Sequence, residues 1–341
     1  MAEFTLNGEL ELEGGETLSS PTLHYTTYGK LNAQKDNVIW VCHALTANSD
    51  VFEWWPGLFG HTDLFNPDDH YIICANMIGS CYGSTGPLSS NPITGEKYYH
   101  DFPKLTIRDI SGLNRQLADH LGIHSIEVLI GGSMGGQQVL EWAIEEPDRI
   151  KKVVLMATNA AHSPWGVAYN QAQRMAIEVD PSWKDSSDQA GMNGMRAARA
   201  TALLSYRTYQ SFNETQQSES ETIWPDRPVS YMEYQGDKLA KRFNAFSYWT
   251  LSKAMDSHNV GRGRGGIERA LGSIKAETLV MTLEGDNLFP ESEQRLLADN
   301  IPSARHVVIE SGYGHDGFLI ETSKMNVIIR EFIASEQEIL D

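Results

Sequence analysis

Apolar positions fall into two alternating patterns along the chain, and the alternation predicts the architecture. Continuous apolar runs of strand length, rich in β-branched residues, occupy Asn37-Val-Ile-Trp-Val-Cys-His-Ala-Leu45 and residues 71–77, 126–130, 153–157, 278–283 and 305–310. Between them apolar residues recur at helical spacing over 106–121, from 134 to about Pro147, and over 291–300 and 321–335. Thr106-Ile-Arg-Asp109 fits a capping box that opens a helix ending before Gly122. Strands alternating with helices predict an α/β fold: a mainly parallel sheet with helices on both faces. The first 28 residues instead show short alternating runs broken by Gly14-Gly15, the pattern of antiparallel strands.

The alternation breaks between residues 162 and 261. There the apolar residues keep helical spacing, as over 197–204 and 239–255, and no strand pattern occurs; residues 213–226 read as a polar loop. Strands of the outer sheet lie on both sides of this stretch. One core, residues 1–161 with 262–341, carrying an inserted helical lid at 162–261 is therefore expected, rather than two independent domains.

A chain of 341 residues has ample core, and its formal charge of −18 argues against general nucleic-acid binding and against an anionic membrane surface. Local basic groups can still oppose that field for a small anion. The three cysteines, Cys42, Cys74 and Cys81, are odd in number and sit in or beside apolar runs, which suggests free thiols in a reducing cytoplasm. No signal sequence or bilayer-length apolar run is evident, so a cytoplasmic protein is expected.

Candidate chemistry centres on Gly131-Gly-Ser-Met-Gly135, between the run 126–130 and the helix that follows. It matches G-x-S-x-G, where a serine stands on a strained strand-to-helix turn, its oxygen at the positive end of the helix. Such a serine needs a base that is itself oriented by an acid, and in this fold both follow it in the chain. Of eleven histidines, His43 comes too early and His306 lies inside a strand run; His315 lies beyond the last strand. Asp286 follows the preceding strand on a turn, while its rival Glu284 still belongs to the strand. The backbone N–H groups of Met134 and Leu45 are the natural donors to an oxyanion. His43 is expected to be structural, holding its loop.

These residues, with Cys42-His-Ala-Leu-Thr46, Asn91-Pro-Ile-Thr-Gly95, Asp101-Phe-Pro103, Gln173-Arg-Met-Ala-Ile177, Leu288-Phe-Pro290 and Gly314-His-Asp-Gly317, resemble the homoserine O-acyltransferases of the α/β-hydrolase superfamily over nearly the whole chain. The resemblance implies acyl transfer from acyl-CoA to the hydroxyl of L-homoserine, in methionine synthesis, with Ser133, Asp286 and His315 as the catalytic set. It also implies a homodimer through the lid and no permanently bound cofactor, acetyl-CoA being a co-substrate. The family's arginine and tyrosine for the amino-acid head match Arg199 and Tyr206, seven residues apart, and its ammonium ligand matches Asp316. No cation dedicated to a second carboxylate stands out, which favours acetyl over succinyl. Serine as acceptor, or water in an esterase, remains the alternative.

Two stretches depart from the family's pattern: Asn244-Ala-Phe-Ser-Tyr248 and residues 184–194. Gly261-Arg-Gly-Arg-Gly-Gly266 matches G-x-G-x-x-G but follows a helix, so a flexible connection is expected, with Arg262 or Arg264 a weak candidate for coenzyme A phosphates. His61 and Asp68-Asp69-His70 lack further ligands at metal-site spacing, and no metal is predicted. Trp54-Trp55 is expected to cover the core.

Overall fold

The computed structural model describes residues 1–219 and 223–335. Among the described residues there are ten strands: β1 (Ala2–Thr5), β2 (Glu9–Glu11), β3 (Thr17–Ser19), β4 (Thr22–Tyr28), β5 (Val38–Cys42), β6 (Tyr71–Ala75), β7 (Ile126–Gly132), β8 (Ile150–Met156), β9 (Glu277–Leu283) and β10 (Ala304–Ile309). Eight form one sheet in the order β1-β4-β6-β5-β7-β8-β9-β10, while β2 and β3 pair as a hairpin around Gly14-Gly15. Pairing is antiparallel for β1–β4 and β4–β6 and parallel from β6 through β10. The early alternating runs and the later continuous ones thus separate as their patterns predict.

Helices α1 (Val51–Trp54), α2 (Ile107–His120) and α3 (Met134–Glu145) precede β8. Five more, α4 (Pro164–Glu178), α5 (Met192–Tyr206), α6 (Tyr209–Gln216), α7 (Arg227–Ala240) and α8 (Ala245–Asp256), lie between β8 and β9 with α9 (Ile267–Leu271). The chain closes with α10 (Glu291–Asn300), α11 (Gly317–Ile320) and α12 (Thr322–Ala334).

Each central strand is buried on both faces, which is why its apolar run is unbroken. In β5, Trp40 faces Trp142 of α3 with ring centroids 4.9 Å apart, while Ile39 and Val41 join the opposite cluster with Trp55, Met325, Ile329 and Phe332. Burying a side chain of this size contributes about 1.5–3 kcal/mol, so the two faces hold the strand ends rigidly. The capping box forms as expected: Asp109 N–H donates to Thr106 Oγ1 at 3.2 Å and Thr106 N–H to Asp109 Oδ2 at 2.8 Å.

The chain enters and leaves the helical segment side by side. His162 N–H donates to the carbonyl of His258, and Val260 N–H to that of Ala160, each at 2.9 Å. Within it, α4 and α5 approach so closely at Gly194 that a Cβ would stand 2.4 Å from the Ala176 carbonyl oxygen. The two departing stretches meet here: a Cβ on Gly191 would stand 3.1 Å from that of Ala245, and beside them Phe246 of α8 packs 4.8 Å from Trp183, ring centre to ring centre.

Two expectations are corrected, at 213–226 and at 261–266. Residues 213–216 are the end of α6, because Thr208 caps that helix by accepting from Ser211 N–H at 3.1 Å; of the rest of the expected loop, 220–222 lie outside the described residues. The short helices α1 and α9 carry too few residues for periodicity to reveal them. The turn at 261–266 is pinned rather than flexible: Arg262 pairs with Glu13 at 2.8 Å, Arg264 with Glu141 at 2.7 Å, and Arg108 donates to the Arg262 carbonyl at 2.6 Å.

Candidate active site

Ser133 ends β7 and starts α3 with φ +55° and ψ −127°, a backbone conformation that costs an L-residue energy. Its surroundings over-determine it. Ser133 N–H donates to the Met156 carbonyl at 3.0 Å, and its own carbonyl accepts from the Thr158 hydroxyl at 2.9 Å. The flanking glycines are required by contact: a Cβ on Gly131 would stand 2.5 Å from the Gly135 carbonyl carbon, and one on Gly135 2.1 Å from the Cys42 carbonyl oxygen.

His315 follows β10 on a single 3₁₀ turn, and its Nε2 lies 3.0 Å from Ser133 Oγ. Its Nδ1 lies 2.8 Å from Asp286 Oδ2. Asp286 sits on the turn after β9; its other oxygen accepts from Leu288 N–H at 2.8 Å and Phe289 N–H at 2.9 Å. An acceptor oxygen facing Nδ1 assigns the ring proton there and leaves the Nε2 lone pair toward the serine hydroxyl. Phe289, Phe318 and Tyr206 surround the imidazole at centroid distances of 5.2, 5.3 and 5.4 Å, so the ring has little freedom to turn. Glu284 is exposed.

His43 is fully buried, with Nδ1 2.9 Å from the Ala44 carbonyl and Nε2 accepting from Met77 N–H at 3.1 Å. Burial pushes its pKa down to about 4, so it is a neutral brace for the loop carrying Leu45. Among the described residues the Leu45 N–H meets no acceptor, and Met134, as the first residue of α3, has an N–H without an intrahelical partner. Two donors are thereby left beside the serine.

Ser133 and His315 open into a cavity of about 300 Å³ whose lining includes Leu45, Arg199, Tyr206 and Asp316. Arg199 and Tyr206 lie on one face of α5, the guanidinium 5.4 Å from the tyrosine ring centre. Arg199 Nε is buried without a hydrogen-bond partner. Burial pushes the Tyr206 phenol upward, so it stays protonated as a donor.

Sequence reasoning missed several neighbours. Asp316, on the cavity lining, accepts at Oδ2 from Arg207 Nε at 2.8 Å. Lys238, Arg242 and Glu53 also line the cavity; no local motif marks them, because they arrive from separate elements. The tryptophan pair divides: Trp55 is fully buried as expected, whereas Trp54 lines the cavity and donates to the Asn48 carbonyl at 2.9 Å. Arg262 and Arg264 are engaged by carboxylates elsewhere and do not line it. Cys81 is also outside the lining, its thiol pushed up to about 11 by burial. Among the described residues, no His, Cys, Asp or Glu cluster suited to a metal ion occurs, and no helix is long and apolar enough to cross a membrane.

Comparison with known proteins yields concordant findings. The alpha/beta hydrolase fold family matches residues 37–322. A homoserine O-acetyltransferase of Cyclobacterium marinum is 48% identical over 330 residues, 96% of this chain and 94% of that protein. The crystal structure of homoserine O-acetyltransferase from Bacillus anthracis superposes with a TM-score of 0.87 at 26% identity, covering 97% of this chain and 96% of that one. The structure of esterase E22 gives a TM-score of 0.88 at 25% identity, covering 97% and 99%. The fold alone therefore accommodates both acyl transfer and ester hydrolysis.

Proposed function

The chain belongs to the α/β-hydrolase-fold family and, within it, to the homoserine O-acetyltransferases; from that premise we propose that it moves an acetyl group from acetyl-CoA to the side-chain hydroxyl of L-homoserine through an acetyl-serine. Ser133 Oγ attacks the thioester carbonyl while its proton passes to His315 Nε2. The N–H groups of Leu45 and Met134 receive the oxyanion, and the tetrahedral adduct collapses by breaking the C–S bond. His315 gives the proton to the departing coenzyme A sulfur. Homoserine then enters, its hydroxyl yields a proton to His315 and attacks the acetyl-serine, and collapse returns the proton to Ser133 Oγ. Asp286 holds the imidazole tautomer and balances the transient imidazolium.

Transfer requires the amino acid to outcompete water for the acetyl-enzyme, which positioning achieves. In this reading Arg199 takes the carboxylate, Tyr206 donates its hydroxyl, and the free oxygen of Asp316 takes the ammonium. The observation that carries it is Arg199: a buried guanidinium nitrogen without a partner, in the cavity that holds the nucleophile. A plain esterase has no use for that set.

Residues 162–261 serve as the lid over this cavity, on a core of 1–161 and 262–341. A homodimer through the lid is supported by its exposed apolar side chains: Trp165 on α4, Leu204 on α5, Tyr209 on α6 and Tyr234 on α7. Buried free thiols at Cys42 and Cys74 fit a cytoplasmic setting, and the reaction as written calls for no resident cofactor.

The test is a matrix of acetyl-CoA or succinyl-CoA against homoserine, serine or no acceptor, read as coenzyme A release. Release that depends on acetyl-CoA and homoserine together is the expected result. Equal release without any amino acid would instead identify an esterase-type hydrolase.

A further inference from the structure

Two side chains at the rim of the cavity have no role in the chemistry above. Lys238, near the end of α7, and Arg242, just beyond it, both line the cavity that contains Ser133. They differ from the inner groups in depth. Ser133 and His315 are buried and Arg199 is half-buried, whereas Lys238 and Arg242 are exposed, so they stand where the cavity meets solvent.

Neither is held by a carboxylate. The Arg242 guanidinium donates to the Thr46 carbonyl and to the Tyr82 hydroxyl, at 2.5 and 2.6 Å, both neutral partners. Among the described residues neither Arg242 nor Lys238 forms an ion pair. The other carboxylate on the lining besides Asp316 is Glu53. Two cations at one rim set a local positive field against the chain's net charge of −18. Thr46 and Tyr82 also hold the guanidinium in place through one amino group, and the other reaches Thr46 Oγ1 only at 3.5 Å.

We propose that Lys238 and Arg242 form an anion site for the phosphate-bearing carrier of the acyl donor, outside the acetyl pocket itself. This rests on the reading of an acyl-CoA donor. Depth selects the carrier over the acyl group: the acyl carbon must reach buried Ser133, so what remains at the rim is the rest of the donor. A cavity of about 300 Å³ is too small to enclose a coenzyme A nucleotide, and its phosphates must lie over the mouth. Without such a site the protein's negative field would repel the donor; with it the field is locally reversed.

The experiment compares acetyl-CoA with S-acetyl-N-acetylcysteamine, a thioester of the same acetyl group without phosphates, in wild type, Lys238→Glu and Arg242→Gln. Thiol release with homoserine gives kcat/KM for each donor. The ratio of acetyl-CoA to phosphate-free donor is expected to fall about tenfold in Lys238→Glu, through KM and not kcat, since an exposed attraction becomes a repulsion. Raising the salt concentration should lower that ratio in wild type and change it little in the variant. A ratio unchanged in both variants, or equal losses with both donors, overturns the proposal. A succinyl-CoA arm separates the sources of negative charge: loss confined to succinyl-CoA would assign the site to a distal carboxylate and also overturn it. If wild-type enzyme forms acetyl-serine from acetyl-CoA but homoserine does not accelerate release, the acceptor reading fails while the donor ratio, measured in the acylation phase, still tests this site. If acetyl-CoA does not acylate Ser133 at all, both fail.

Discussion

Replacing Arg199 by methionine should separate the two halves of the reaction. Methionine keeps a long apolar stem of similar reach while removing the guanidinium. In the free protein little is lost: Arg199 Nε is buried without a partner, and its visible interaction is the 5.4 Å approach to the Tyr206 ring. Relief of an unsatisfied buried donor returns about 1–3 kcal/mol, while the lost cation–π contact costs about 0.5–2 kcal/mol. The variant should therefore melt no lower than wild type. With homoserine the balance reverses. Two charge-assisted hydrogen bonds to a carboxylate, at about 1.5–3 kcal/mol each, disappear, and kcat/KM for homoserine should fall by about two to three orders of magnitude. Formation of acetyl-serine, followed by intact mass and by the first turnover of coenzyme A release, should stay near the wild-type rate. A slowed acylation step, or a melting temperature lowered by many degrees, would show that Arg199 is a structural cation and refute the reasoning.

Further outcomes follow from the same geometry. Asp286→Asn should cost about four orders of magnitude in kcat: two backbone N–H groups hold the oxygen at the Oδ1 position, so the amide nitrogen must face His315 Nδ1, and the ring would carry its proton on Nε2 toward Ser133. Restoration of full activity in that variant at neutral pH would contradict the assigned tautomer. Gly135→Ala should lose at least about 1–3 kcal/mol of stability in urea unfolding, because a Cβ 2.1 Å from the Cys42 carbonyl must displace the backbone leading to Leu45. Its activity should fall by about a hundredfold or more as the oxyanion donor moves; an active, wild-type-stable variant would show that the loop yields freely.

Acid should weaken the fold through its buried histidines. Burial pushes His43 and His162 down to about 4 and His258 down to about 3, below their ordinary value near 6.5. The unfolded chain takes up protons below about pH 6.5 while the folded one refuses them until about pH 4, so stability is lost as pH falls through that window. The slope is about 1.4 kcal/mol per pH unit for each histidine, and urea midpoints at pH 7.5, 6.5 and 5.5 should show it. Midpoints that hold constant or rise toward pH 5.5 would mean these side chains accept protons in the native state.

Much of this was readable along the chain because the controlling interactions are local or periodic. The capping box at Thr106 and Asp109 joins residues three apart, and the elbow at Ser133 is enforced by glycines two positions to either side. Continuous apolar runs identified the central strands because each is buried on both faces, and chain order with strand ends narrowed the base and acid to His315 and Asp286. What escaped was short or remote. The helices α1 and α9 span too few turns for a period to register, and polarity disguised the end of α6. The division of Trp54 from Trp55 depends on which way one turn faces.

The sequence by itself determined the order of strands and helices, the strained serine turn and the chemical types available to act there, since these follow from neighbour sterics and hydrophobic period. Only the tertiary structure decided that Asp316 answers to Arg207, that Arg199 Nε is buried without a hydrogen-bond partner, that Arg262 and Arg264 are engaged by acids that do not line the cavity, and that Lys238 and Arg242 stand at its mouth. The physical reason is that an ion pair or its absence depends on distances of a few ångströms between segments far apart in the chain. No pattern along the chain encodes those distances; packing sets them.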